Sequence, residues 1–310
     1  MSMKNYFNLM FCFFLIVLMG ACAKEEQGDA ADLTPDLVKL SYGEMIKQNT
    51  DFIKSIVSEV VHNDYEGMEE VHLKFLNKND QPLSMILLNV NLNSTGLNIA
   101  VTTPNNGPEV NSLQRLSAMI TAKNAGHTDK RVIAGVNGDF FDFTPASPLG
   151  PVHMDGLQIR TSMSTGYKFF GRVDNGNYVL GNYDFYQAYK SRMQEVVGGR
   201  YHLVENGNLV PQTLPEINPR TGVAAVDFKK VMIVVVDGRD DALSVGISLT
   251  DFGKLFKALG AKDAICLDGG GSTEMIIRNK TNGQYEVKNK LSDGAERAIA
   301  NGLVVMQSTR

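Results

Sequence analysis

Between 44 and 61 the positions Met45/Ile46, Asn49, Phe52/Ile53, Ile56/Val57 and Val60/Val61, apolar but for Asn49, recur every three to four residues. That period predicts an opening helix. Val71, Leu73 and Phe75 then alternate with polar residues, as in a half-buried strand. Asn77-Lys78-Asn79-Asp80-Gln81-Pro82 reads as a turn, followed by strands over 83–92 and 97–103. Val110, Leu113, Leu116 and Met119/Ile120 predict a helix over 109–124, and 131–136 is a continuous apolar strand. Residues 150–215 are dense in Gly, Asn, Tyr and Pro and read as short strands and loops. A buried strand covers 231–236. Thr250-Asp251 caps a helix at about 250–260 that Gly260 ends. Strands at 264–267, 274–278 and 297–306 close the chain. Strands dominate, and helices do not alternate with them regularly. The expected fold class is therefore α+β, a mixed or antiparallel β-sheet core with a few packed helices. The opening helix and hairpin, within 36–104, read as a small N-terminal α+β subdomain ahead of a main domain over 105–310.

The first residues follow another logic. After Lys4, an apolar run over 11–19 is too short to span a bilayer comfortably. It ends in Leu18-Met19-Gly20-Ala21-Cys22, which resembles a bacterial lipoprotein signal. Residues 1–21 are then a signal peptide, Cys22 is lipidated, and polar residues 22–35 form a tether. The expected location is the bacterial cell envelope, with the protein held to the membrane through its lipid anchor, in the periplasm or on the surface.

Composition narrows the picture further. Of 310 residues, 43 % are hydrophobic and 21 % charged, which excludes a mainly disordered chain. The formal charge is -4, from 30 Lys+Arg and 34 Asp+Glu, without the basic excess of a nucleic-acid binder. With Cys12 removed and Cys22 in the anchor, only Cys266 of the three cysteines remains, so no intrachain disulfide forms. The scattered histidines match no zinc spacing. His153, between Pro151 and Asp155, is the one with a candidate loop setting.

Four polar clusters follow apolar strands or sit in Gly/Pro-rich loops, where binding groups are usually displayed. They are Asn137-Gly138-Asp139, Asn218-Pro219-Arg220-Thr221-Gly222, Asp237-Gly238-Arg239 with Ser244 nearby, and Asp268-Gly269-Gly270-Gly271-Ser272-Thr273-Glu274. Each has a plain reading as a turn or a local ion pair. Chemically, Arg220 offers a planar fork suited to two phosphate oxygens. Three successive glycines carry an entropic cost and leave peptide N–H groups uncovered, which can form a nest for an anion.

Together with Phe140-Phe141, the run Ser244–Leu249, and Ala300-Asn301-Gly302-Leu303, these clusters resemble the phosphodiester glycosidase family, in order from about 130 to 306. The resemblance implies hydrolysis of a sugar-1-phosphodiester, of the N-acetylglucosamine-1-phosphodiester kind, with release of free sugar from a phosphate-linked sugar or glycan. It implies catalytic carboxyls among Asp268, Glu274, Asp237 and Asp139. Arg220, Arg239 and Arg297 would hold the phosphate. Asn137, Thr221, Ser244, Gly269, Gly270, Gly271, Ser272, Thr273 and Asn301 would complete the binding site. Asn218 stands where the resemblance leads one to expect histidine. Two other readings stay open: a non-enzymatic glycan-binding lipoprotein, and a metal-dependent phosphodiesterase breaking P–O with a divalent cation on Asp139, Asp237 and Asp268. Otherwise the sequence demands no cofactor.

Overall fold

The computed structural model describes residues 40–109 and 111–309; the predicted signal peptide, Cys22, the tether and Val110 lie outside them. The chain begins with helix α1 (Tyr42–Asn49) and strands β1 (Ile53–Tyr65), β2 (Met68–Asn77), β3 (Pro82–Asn91) and β4 (Leu97–Thr102). Helix α2 (Leu116–Ala125) leads to β5 (Lys130–Asn137), β6 (Val152–Met154), β7 (Lys168–Val173) and β8 (Tyr178–Gly181). Helix α3 (Tyr183–Tyr189) precedes β9 (Met193–Glu205), β10 (Arg220–Asp227) and β11 (Lys230–Val236). Helix α4 (Leu249–Ala258) is followed by β12 (Asp263–Cys266), β13 (Met275–Arg278), β14 (Tyr285–Val287) and β15 (Gly302–Ser308).

Two large antiparallel sheets and two short two-stranded ladders result among the described residues. The larger follows the order β1-β2-β3-β11-β10-β12-β9-β7-β8, and the smaller β14-β13-β5-β15-β4. Side-chain alternation explains why their central strands read as unbroken apolar runs. In β11, Val231, Ile233 and Val235 face the space between the sheets. Met232, Val234 and Val236 face the other way, onto α4 through Phe252, Leu255 and Phe256. In the smaller sheet, Ile133 and Val305 point inward, while Val132 and Val304 pack under Leu116, Met119 and Ile120 of α2. The central strands of each sheet are thus buried on both faces, and the layers run helix, sheet, sheet, helix. The fold is α+β with an antiparallel core. Because β3 pairs with β11 from Met85 to Asn91, the opening hairpin is built into the larger sheet.

Several local expectations change. The predicted helix over 44–61 stops at Asn49. Asn49 Nδ2 and Thr50 Oγ1 donate to the carbonyls of Met45 and Ile46, each at 2.8 Å, closing the last turn. Five β-branched residues then favour the extended chain of β1. Three register shifts in the β1–β2 ladder stretch the strand period of two into one that resembles a helix. Helix α2 begins at Leu116 rather than 109, because Gln114 and Arg115 pair with Ala298 and Ile299. The cap of α4 is Ser248, whose Oγ accepts the Asp251 N–H at 3.1 Å, rather than Thr250-Asp251. Residues 150–215 hold the thirteen-residue β9 and α3 rather than only short strands; Gly198-Gly199 breaks the apolar run that would have revealed β9. The closing strand is split, with Ala298–Ile299 on one side of Asn301 and β15 on the other.

Candidate active site

Antiparallel pairing decides which strand ends meet. Val136 lies opposite Met275 and Leu303, and Asn137 opposite Gly302. Arg220 lies opposite Val236, and Gly222 opposite Cys266. The residues just beyond these pairs (Asp139, Asp237, Asp268, Glu274 and Asn301) therefore emerge at the same ends of the two sheets.

Asn137 ties the sheets together. Its Nδ2 donates to the Asp268 carbonyl at 2.7 Å, and its Oδ1 accepts the Thr221 hydroxyl at 2.7 Å and the Glu274 N–H at 3.2 Å. The Asp268 N–H adds a bond to the Gly138 carbonyl at 2.9 Å. A fully buried amide with all these bonds is a frame, and substitution would leave several groups unpaired.

Above this frame opens a pocket of ≈ 230 Å³, lined by Phe140, Asn218, Arg220, Arg239, Asp268, Gly269–Gly271 and Arg297. Three predicted arginines gather in it, but not in equal states. Arg220 is buried, and its Nη2 donates to the Glu216 carbonyl at 2.9 Å. Arg239 adopts a left-handed backbone (φ 62°), and its Nη2 donates to Asn218 Oδ1 at 3.1 Å. Arg297 is oriented by Asp293, with Nε to Oδ2 at 3.0 Å. A Cβ on Gly271 would overlap the guanidinium of Arg297, so glycine there lets the arginine lie over the loop.

The predicted nest of N–H donors is largely closed. The N–H groups of Gly269, Gly270 and Ser272 bond to Asp268 Oδ1, the Pro219 carbonyl and the Gly269 carbonyl at 2.9, 3.0 and 3.2 Å. The triplet folds into a tight turn in which two of its three N–H donors are taken by Asp268 and Pro219. Positive charge in the pocket comes from the arginines.

The four candidate carboxyls occupy different surroundings. Asp268 alone lines the pocket, and burial raises its pKa against the pull of Ser272, the Gly269 N–H and Arg297. Asp139 lies behind it, 2 % exposed. Its Oδ2 accepts the Gly150 N–H at 2.5 Å, while Oδ1 has no partner. Burial, with the nearby Asp268 charge adding, pushes Asp139 up to about 7. Gly150 and Gly198 leave room for that carboxyl, since a Cβ on either would strike it. Glu274 is buried with Oε1 unpartnered, and burial with Glu296 nearby raises it to about 8. Asp237 is a latch: its Oδ1 accepts the Lys290 N–H at 2.9 Å, and its carbonyl accepts the Ser244 hydroxyl at 2.7 Å.

The structure thus brings Arg220, Arg239, Arg297, Asp268 and Gly269–Gly271 to one pocket, with Asp139 directly beneath. Asp237 and Glu274 do not line it. Asn137, Thr221, Ser244, Ser272, Thr273 and Asn301 are buried frame residues; Asn301 Oδ1 accepts the Asp139 N–H at 2.8 Å. Phe140 and Asn218 line the pocket although neither stood among the candidate site residues. His153 is a core residue, bonded through Nε2 to the Tyr186 hydroxyl at 2.8 Å. Among the described residues no three His, Cys, Asp or Glu side chains group as metal ligands, so Asp139, Asp237 and Asp268 do not form the cation site considered above.

Known proteins share this fold. The catalytic domain of zebrafish N-acetylglucosamine-1-phosphodiester alpha-N-acetylglucosaminidase, auto-inhibited by its pro-peptide, shares the fold: TM-score 0.61, 20 % identity, covering 80 % of this chain and 88 % of that one. A hypothetical protein from Synechocystis does so at TM-score 0.57 and 13 % identity, covering 81 % and 64 %. The SPbeta prophage-derived uncharacterized protein YomE of Bacillus subtilis strain 168 is 34 % identical over 88 residues, 28 % of this chain. The chain matches only 13 % of that relative's length. Residues 130–306, more than half the chain and the stretch that carries the pocket, match the phosphodiester glycosidase family, and the chain belongs to it.

Proposed function

We propose that the protein hydrolyses the glycosidic bond of a sugar-1-phosphodiester and releases the free sugar. The observation that carries this reading is three arginines around one carboxylate in a single open pocket. Arg239 and Arg297 are held by side chains at the pocket edge and can turn their forks to the diester's non-bridging oxygens. Arg220, pinned to backbone carbonyls, adds fixed positive charge below them. Breaking the glycosidic C–O bond expels the aglycone as its phosphomonoester and leaves positive charge on the sugar ring, which Asp268 is placed to stabilise before water adds. The arginines stabilise the leaving phosphate, so the step depends less on a strong general acid. Asp139, pushed up to about 7, is mostly neutral below that pH, so Asp268 is the acid that faces the substrate.

The lipoprotein signal ending at Cys22 extends the proposal to a lipid-anchored enzyme of the bacterial envelope, acting on phosphate-linked sugars of glycans or teichoic-type polymers. Incubation of the purified protein with an α-N-acetylglucosamine-1-phosphodiester in ¹⁸O water tests the chemistry. Free sugar carrying ¹⁸O is expected. Sugar-1-phosphate as product, or binding without turnover, refutes it. Release of the Cys22→Ala protein from membranes tests the anchor.

A further inference from the structure

Four aromatic and cationic side chains form a wall beside the pocket. Phe140, which lines the pocket, meets the Tyr201 ring edge-on at 6.0 Å and 81°. The Arg200 guanidinium lies 5.2 Å from the Tyr201 ring centre and 5.8 Å from that of Tyr167. Tyr167 is also close enough to Asp139 and Asp142 to feel their charges. This wall is built at a backbone irregularity. The β9–β12 register slips between Arg200 and His202, and Tyr201 sits in the left-handed region at φ 46°, a conformation that bulky residues rarely adopt. In a regular strand Arg200 and Tyr201 would point to opposite faces. The bulge instead lets both side chains join one wall, and such re-aiming is a recurrent use of bulges and backbone strain next to binding sites.

Arg200 differs from the three pocket arginines in one respect. Arg220, Arg239 and Arg297 each donate to an oxygen of this chain. Arg200 is exposed and meets only the two tyrosine rings among the described residues. Cation–π contact with two aromatic rings holds a guanidinium without using its N–H donors. Its fork is therefore positioned and unoccupied. A single phosphodiester needs the pocket arginines and leaves Arg200 idle.

We propose that Arg200, Tyr167 and Tyr201 form an aglycone subsite that binds a second phosphate of the substrate. The preferred substrate is then a sugar-1-phosphodiester whose aglycone carries a further phosphate, as a repeating polyol-phosphate or sugar-phosphate chain does. This rests on the glycosidase reading of the pocket. Phe140 and Tyr201 would cover the apolar edge of the linker between the two phosphates.

Two probes test it by calorimetry and by sugar release. One is the methyl phosphodiester of α-N-acetylglucosamine-1-phosphate. The other has glycerol with a terminal phosphate in place of methyl. The wild-type protein is expected to bind the second about tenfold more tightly, as one added charge-assisted fork contact allows. Arg200→Ala should bring that ratio close to one, and Arg200→Lys should keep part of it. Equal affinities in the wild type, a ratio that survives Arg200→Ala, or no saturable binding of either probe would overturn the proposal. Turnover of the methyl diester without any preference refutes the subsite alone. A preference without turnover refutes the glycosidase reading alone.

Discussion

Of the four candidate acids Asp268 alone lines the pocket, and the proposed hydrolysis rests on it. Asp268→Asn should lower kcat by about 10²–10³-fold, the usual loss when one preorganised electrostatic group is removed. Its thermal midpoint should stay near that of the wild type. Asp237→Ala should behave in the opposite way. It strips the Lys290 N–H of its acceptor, costing about 1–3 kcal/mol, while the folded fraction keeps its kcat. Steady-state kinetics beside urea titrations separate the two outcomes. Local sequence singles out both acids for the same reason: each follows a buried strand and precedes glycine. What decides between them is the register of strands far apart in the chain, which no local spacing records. The same holds for Arg200, whose tyrosine partners become visible only once β9 is seen to bulge.

At the scale of elements, legibility followed burial. Strands β5 and β11 are buried on both faces, and their unbroken apolar runs are readable at once. β1 is not, since Val57, Val60 and Val61 are 61 %, 47 % and 41 % exposed at an edge with three register shifts. Its spacing imitates a helix, and its β-branched composition was the signal to weigh more heavily. The start of α4 offers a measurable case. Ser248 accepts the Asp251 N–H and donates to Asp251 Oδ2 at 3.0 Å, a reciprocal cap at the helix start. Ser248→Ala should cost about 1 kcal/mol in urea unfolding. Because α4 packs on the outer face of the larger sheet, turnover of the folded protein should hold.

The molecule as a whole carries several buried carboxyls whose pKa values burial raises. Asp139 and Glu195 reach about 7, and Glu274 about 8. In the unfolded chain these groups titrate near their ordinary values of about 4. Between those limits the native state binds more protons than the unfolded state, so stability falls as pH rises. Their contribution is fully present below about pH 4 and is lost as pH passes through about 7–8. The urea midpoint should therefore decline from pH 5 to pH 8.5, and Glu274→Gln should flatten part of that slope. A midpoint that rises over this range contradicts the assignment. The order of strands has a consequence in time as well. β15 lies between β4 and β5, and its Gly302 pairs with Thr102, some two hundred positions earlier. Closing so distant a pairing is slow compared with local folding. Until residues 302–308 pair, β4 has no partner in the smaller sheet and Asn301 is not held against the Asp139 backbone. The arrangement that sets Asp139 beneath the pocket is therefore among the last parts of the fold to form.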